Sequence, residues 1–259
     1  MGGRYSNFSI NPQTGEHITS KDMPIPLIED DSISERNNDY IDILQDKNHV
    51  VCYSTDNFNY DLVEPNLRKL NQMVDKFPGV AYNLKGYSLE VRGATYKANS
   101  PTIASFTYFP GDKNNMSIFL NKDYYTRDKN KIIELHKNAR SKGWFSASDE
   151  NELLNASIAH EYGHFIEKLI IDKKIEEEKT KKEMTQFDID FAYNYHAIKI
   201  KHEILKIQKE KFNSDENFIS EYGNKNTKEF FAESFANLVT SKNPTTIAKA
   251  TEIYIKENL

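Results

Sequence analysis

Within the stretch HEYGH, His160 and His164 stand four residues apart and Glu161 directly follows the first. In a helix, residues i and i+4 lie one turn apart on the same face, so the two imidazoles can hold one metal ion, with zinc as the expected ion. Glu161 is rotated about 100° from His160, which lets it reach a metal-activated water without being a ligand. Its expected role is general base. Gly163 costs about 1 kcal/mol relative to alanine in a helix interior, which points to another element passing close by.

Two histidines need a third protein ligand, with the fourth position left for water in a catalytic site. The best source is SEYGNKNTKEFFAESFANLV, Ser220 to Val239, where Asn226 or Thr227 can cap a helix and Glu229 and Glu233 share a face at i, i+4. Phe230, Phe231, Phe235 and Leu238 would pack that helix on the core, and a carboxylate pair beside such a surface needs a partner to offset its burial. Glu229 could instead close a capping box with Asn226, leaving Glu233 in solvent. The need for a third ligand favours Glu229 on the metal and Glu233 behind it, orienting a histidine through its free ring nitrogen. Tyr222 precedes Glu229 in a turn marked by Gly223 and Asn224. The residues alone leave two roles open for it, a donor to a developing oxyanion or a packed loop tyrosine.

The remaining candidates have ordinary readings. His202-Glu203 begins like the motif but has Lys206 where the second histidine should stand, and reads as a helix surface pair. His17, His49, His136 and His196 lack ligand spacing, and the single cysteine, Cys52, reads as a small buried hydrophobe. No glycine-rich phosphate loop or nucleophile elbow is present.

The elements that must position these residues fall into two halves. Residues 1–35, with Pro12, Pro24, Pro26 and the acidic Glu29, Asp30 and Asp31, read as a flexible N-terminal arm, and 36–259 as one domain. Leu67, Leu70, Met73 and Val74 give a helix over Asn66 to Phe77, stopped by Pro78-Gly79. YSLEVRG, TIASFTYF and MSIFLNKDYY read as strands of a small sheet, with PGDKNN as the turn of a hairpin that closes on Met116 to Tyr125. Beyond Trp144 the pattern is helical. Ser148 is the expected N-cap of a helix carrying HEYGH, with Leu154, Ile158, Phe165 and Leu169 as its apolar stripe. The run from Asp172 to Glu183 reads as a solvated face, and a long helix follows from Thr185 to Lys211. The predicted class is α+β, a small mixed sheet followed by a mainly helical C-terminal half.

Composition bounds the partners. A net charge of −5 over 259 residues excludes the basic surface of a duplex binder, so no nucleic acid is expected. No apolar run approaches the 18 or so residues of a membrane span. MGGRYSNFSI lacks the hydrophobic core of a signal peptide, so the chain is expected in the cytoplasm as synthesised. MGGRYS also meets the short myristoylation pattern, which acts only where the transferase is present.

HEYGH followed about 60 residues later by YGNKNTKEFFAESFANLV resembles the catalytic domain of anthrax lethal factor and its relatives, which include the clostridial Pro-Pro endopeptidases. The resemblance covers 151–259. It implies a zincin-like fold and a zinc metalloendopeptidase acting on a peptide or protein substrate through a zinc-activated water. On this chain it implies His160, His164 and Glu229 as zinc ligands, Glu161 as catalytic base, Tyr222 as oxyanion stabiliser and Glu233 as support for a ligand. Family members bind substrate as a strand added to the sheet edge, which suggests the segment Met116 to Asn121. It also suggests a toxin or mobile-element protein, with delivery to another cell by a route not visible in the sequence. The alternative is a non-catalytic protein that keeps zinc, or only the fold, for binding or structure. Substrate identity and oligomeric state are not encoded in any motif.

Overall fold

A computed structural model describes residues 25–26, 50–53, 58–77, 80, 89–98, 100–146 and 148–259. The first half runs β1 (Ile25–Pro26), β2 (Val50–Tyr53), α1 (Tyr60–Lys76), β3 (Leu89–Thr95), β4 (Ala104–Thr107), β5 (Met116–Asn121), the short α2 (Lys122–Tyr125) and α3 (Lys129–Ser141). A 3-10 turn at Glu150–Asn155 leads into α4 (Ala156–Lys179), α5 (Gln186–Phe212), α6 (Thr227–Thr240) and α7 (Thr246–Asn258). The chain is therefore α+β, with a small mixed sheet ahead of a mostly helical C-terminal half.

The sheet order is β1-β3-β5-β4, with β2 also paired to β3. β3 and β5 run parallel, Leu89 opposite Met116 through Ala94 opposite Asn121. β4 returns antiparallel to β5, Ala104 opposite Leu120 through Thr107 opposite Ser117, as PGDKNN predicts. β2 and β1 follow one another along the far side of β3.

This order corrects the expected substrate edge. Met116–Asn121 lies between β3 and β4 and is buried throughout, so its backbone groups are committed on both sides. The edge on this side of the sheet is β4, whose side away from β5 has no strand partner among the described residues. Strand order is set by long-range pairing that local alternation does not encode.

Element ends shift where side chains find other partners. β5 stops at Asn121, whose side chain accepts the Asp123 N–H and starts α2, so the expected strand to Tyr125 ends four residues early. α1 begins at Tyr60 rather than Asn66 because Asn59 accepts the Asp61 N–H, and Pro65 lies within the helix. Ser148 does not cap the HEYGH helix. Its hydroxyl bonds Thr240 at 2.7 Å, Asp149 anchors the Lys242 N–H, and the regular helix waits until Ala156. α5 matches its expectation, with Thr185 and Asp188 forming a capping box at its start.

One core joins both halves. Tyr162 and Phe165 of α4, Phe230, Phe231 and Phe235 of α6, and Leu62, Leu67 and Leu70 of α1 are fully buried in one cluster. Burying each large apolar side chain contributes about 2 to 3 kcal/mol. The charge run from Asp172 to Glu183, most of which forms the last turns of α4, is only partly solvated, since Asp172 and Ile175 are buried. Asp172 pairs with Lys168 at 2.5 Å, and the same ammonium donates to the Asp112 carbonyl at 2.9 Å, which fixes the β4–β5 loop to α4.

Of the expected arm only Ile25–Pro26 is described, as the strand beside β3. The other arm residues, His17, His49 and the side chain of Cys52 lie outside the described residues. No described helix is long and apolar enough to cross a membrane.

Candidate metal centre

Two helices supply the site. His160 and His164 project from one face of α4, and Glu229 and Glu233 from one face of α6, against which α4 makes its most extensive packing. Gly163 sets the crossing. A Cβ built there would lie 3.0 Å from the Ala232 Cα and 3.1 Å from the Phe235 Cβ, so only glycine lets the backbones approach this closely. The glycine between the histidines was the visible signal for this neighbour.

His160 Nε2 lies 3.0 Å from Glu229 Oε2 and 3.1 Å from His164 Nε2, and His164 Nε2 lies 3.4 Å from the same oxygen. Four ligands held tetrahedrally at about 2.0 to 2.1 Å stand about 3.3 Å from one another, so the three atoms have roughly the spacing that a tetrahedral metal ion requires. Their chemistry agrees. His160 Nδ1 is 2.8 Å from Glu233 Oε1, so in the neutral ring the proton sits in that bond and Nε2 faces inward as a lone pair. Glu229 Oε2 is buried and faces both imidazole nitrogens within 3.4 Å. Lone pairs converging on a buried point require a cation or a proton between them. The buried or half-buried group His160, His164 and Glu229 can therefore hold a metal ion.

Glu229 does not close a capping box. Asn226 alone caps α6, accepting from the Lys228 and Glu229 N–H groups, which leaves the Glu229 carboxylate free to turn towards the histidines. Burial pushes that carboxyl up, but His164 and His160 more than offset it and hold it at about 2. Burial pulls the His160 imidazole down, yet Glu229 and Glu233 raise it well above its ordinary range. Both directions describe a site built to hold positive charge.

Glu233 is buried rather than solvated. Its Oε2 accepts from the Ser146 N–H at 2.6 Å and from the Ser220 hydroxyl at 2.9 Å while Oε1 holds His160. Two loops meet around it, with the Glu221 N–H donating to the Gly143 carbonyl at 2.9 Å and the Tyr222 N–H to the Trp144 carbonyl at 3.0 Å. This ladder sets Tyr222 beside the histidines, its ring 5.5 Å from that of His160 and its hydroxyl hydrogen-bonded to Glu229. Burial and the nearby carboxylates raise Tyr222 well above the usual phenol range, so it stays a donor. Glu161 is buried beside β4 and accepts the Phe106 N–H. Burial raises its carboxyl, with His160 and His164 acting in the opposite direction.

All six expected site residues open on one cleft of about 550 Å³, walled by β4 on one side and by Leu135 and Phe145 on the other. Three contributors escaped sequence reading. Ser146 and Ser220 carry no local signal, because their role arises from contacts distant in sequence. Lys228, buried with its ammonium 3.2 Å from the Tyr108 hydroxyl, was legible only as a lysine among phenylalanines. Comparison with protein-family models, curated proteins and solved structures finds no match.

Proposed function

We propose that this chain is a zinc metalloendopeptidase of the zincin type, similar to the lethal factor catalytic domain, that hydrolyses peptide bonds of a peptide or protein substrate. One observation carries the reading. The ligand atoms of His160, His164 and Glu229 converge on one point in the wall of a cleft onto which Glu161 and Tyr222 also open. Bound there, zinc supplies a Lewis acid that polarises a carbonyl and lowers the pKa of water.

The protein's own groups do the rest. Glu161, with its carboxyl raised by burial, takes a proton from the attacking water and returns it to the departing amine. Its bond to the Phe106 N–H keeps it beside β4. The Tyr222 hydroxyl donates to the oxygen on which negative charge develops. Glu233 holds the His160 ring in the tautomer that presents Nε2. The outer edge of β4 lines the cleft and, apart from the Phe106 N–H held by Glu161, offers main-chain groups to an extended peptide, so substrate adds there as a strand.

The test begins with zinc per chain after dialysis against a weak chelator. Wild type should retain one equivalent, Glu229→Ala far less, and Glu161→Gln the wild-type amount. Glu161→Gln should then cleave an unbiased peptide mixture at least about 10²-fold more slowly than wild type. A wild type that takes up no zinc sinks the proposal, as does a Glu161→Gln protein that cleaves at the wild-type rate.

A further inference from the structure

Helix α5 exposes large apolar side chains. Phe187 is 78% exposed, Phe191 66%, Tyr195 52% and Ile198 49%. Their spacing of four, four and three residues sets them in one stripe along the helix, while Ile189, Ala192, Tyr193 and Ala197 bury the opposite face. The burying face alone accounts for how α5 packs in the fold. The outward stripe has no such account.

Charge along the helix indicates what covers it. The turns around Phe187 and Phe191 carry Asp188 and Asp190, and the turns beyond Ile198 carry Lys199, Lys201 and Lys206 against one acidic residue, Glu203, which pairs with Lys199 at 3.9 Å and leaves that end net basic. Asp188 and Lys199 are eleven residues apart, three turns, and so lie on the same flank of the stripe. When two copies of one helix pair antiparallel, like flanks meet with their directions reversed. Acidic turns then face basic turns, whereas a parallel pair sets like charge against like.

We propose that the exposed stripe of α5 is a self-association face on which a second copy of this chain docks antiparallel. With the two-fold axis passing beside Tyr195, Phe191 meets Ile198 of the second copy, and Asp188 comes within a turn of its Lys199. An aromatic side chain offers 150 to 250 Å² of surface, so the stripe supplies roughly 400 Å² per copy and roughly 800 Å² per pair. With the flanking charges this comes near the 1,000 Å² or so at the low end of specific interfaces, which describes a weak, reversible dimer.

The test is sedimentation velocity on the full chain from low micromolar to near-millimolar concentration. The weight-average mass should climb from monomer towards dimer. Phe191→Asp should stay monomeric with its unfolding midpoint and zinc content unchanged, and Lys199→Glu should shift the midpoint to higher concentration. Orientation is read in a Cys52→Ser background. Tyr195→Cys should form a disulfide with itself on oxidation, whereas Phe187→Cys should not, because its two copies would stand about 24 Å apart along the axis. Three results overturn the proposal: a wild type monomeric throughout, a dimer that persists in Phe191→Asp, or self-linking of Phe187→Cys as fast as Tyr195→Cys. A wild type that stays monomeric but sediments with phosphatidylcholine vesicles assigns the stripe to lipid instead. None of these readings depends on peptide cleavage.

Discussion

At the scale of single residues, two side chains in the cleft make predictions of different kinds. Replacing Tyr222 by Phe removes one hydroxyl and leaves the histidines and Glu229 in place. Zinc content should stay at the wild-type level while kcat for peptide cleavage falls about 10²-fold, the cost of one donor to a developing oxyanion. Equal loss of zinc and activity would instead make Tyr222 a support for Glu229. His136 gives a stability prediction. Burial lowers its imidazole to about 4, against 6.5 in an unfolded chain. Between those values the unfolded chain binds the extra proton, so stability is complete above pH 6.5 and drains as pH falls towards 4. The loss over that window approaches about 3 kcal/mol. Urea titrations at pH 7 and pH 5 should show His136→Gln losing less stability than wild type over the interval. Legibility differs between these residues. The chemistry of HEYGH and Glu229 is readable because helical spacing is local. His136 carries no motif, and its burial beside Ser157 and Phe145 arises from tertiary packing alone.

Among the elements, the crossing of α4 and α6 decides the site. A methyl group at position 163 would meet the Ala232 backbone, which cannot yield as a flexible side chain can. Gly163→Ala should cost about 1 to 3 kcal/mol through overpacking, although alanine is the better helix former, and should weaken zinc retention by moving the histidines from Glu229. A stabilised variant with normal zinc affinity would show that the helices adjust independently. The hairpin of the sheet was visible in alternating residues and PGDKNN, but the exposed edge was not, since which strand ends the sheet depends on pairings across the whole domain. α4 starts later than its N-cap signal predicts for a related reason, because Ser148 and Asp149 are used by Thr240 and Lys242 at the far end of α6.

For the whole molecule, the mixed sheet and the helical half act together because Lys168 ties the β4–β5 loop to the helix that bears the histidines. The bonds that converge on Glu233 reach further along the chain. Its bond to His160 spans 73 residues and its bond to Ser146 spans 87, so both close long loops. Contacts of that separation form only after the chain has met the entropy of loop closure. Local helices are therefore expected to form before His160, His164 and Glu229 come together. In stopped-flow refolding, far-ultraviolet ellipticity should recover before the protein can take zinc from a chromogenic chelator, and zinc uptake should follow the slowest phase. Simultaneous recovery of both signals would mean that the ligands gather before the loops close. On the proposed reading, a chain emerging from synthesis could take up the ion only once α6 had docked on α4, so acquiring it would report that the two helices have met.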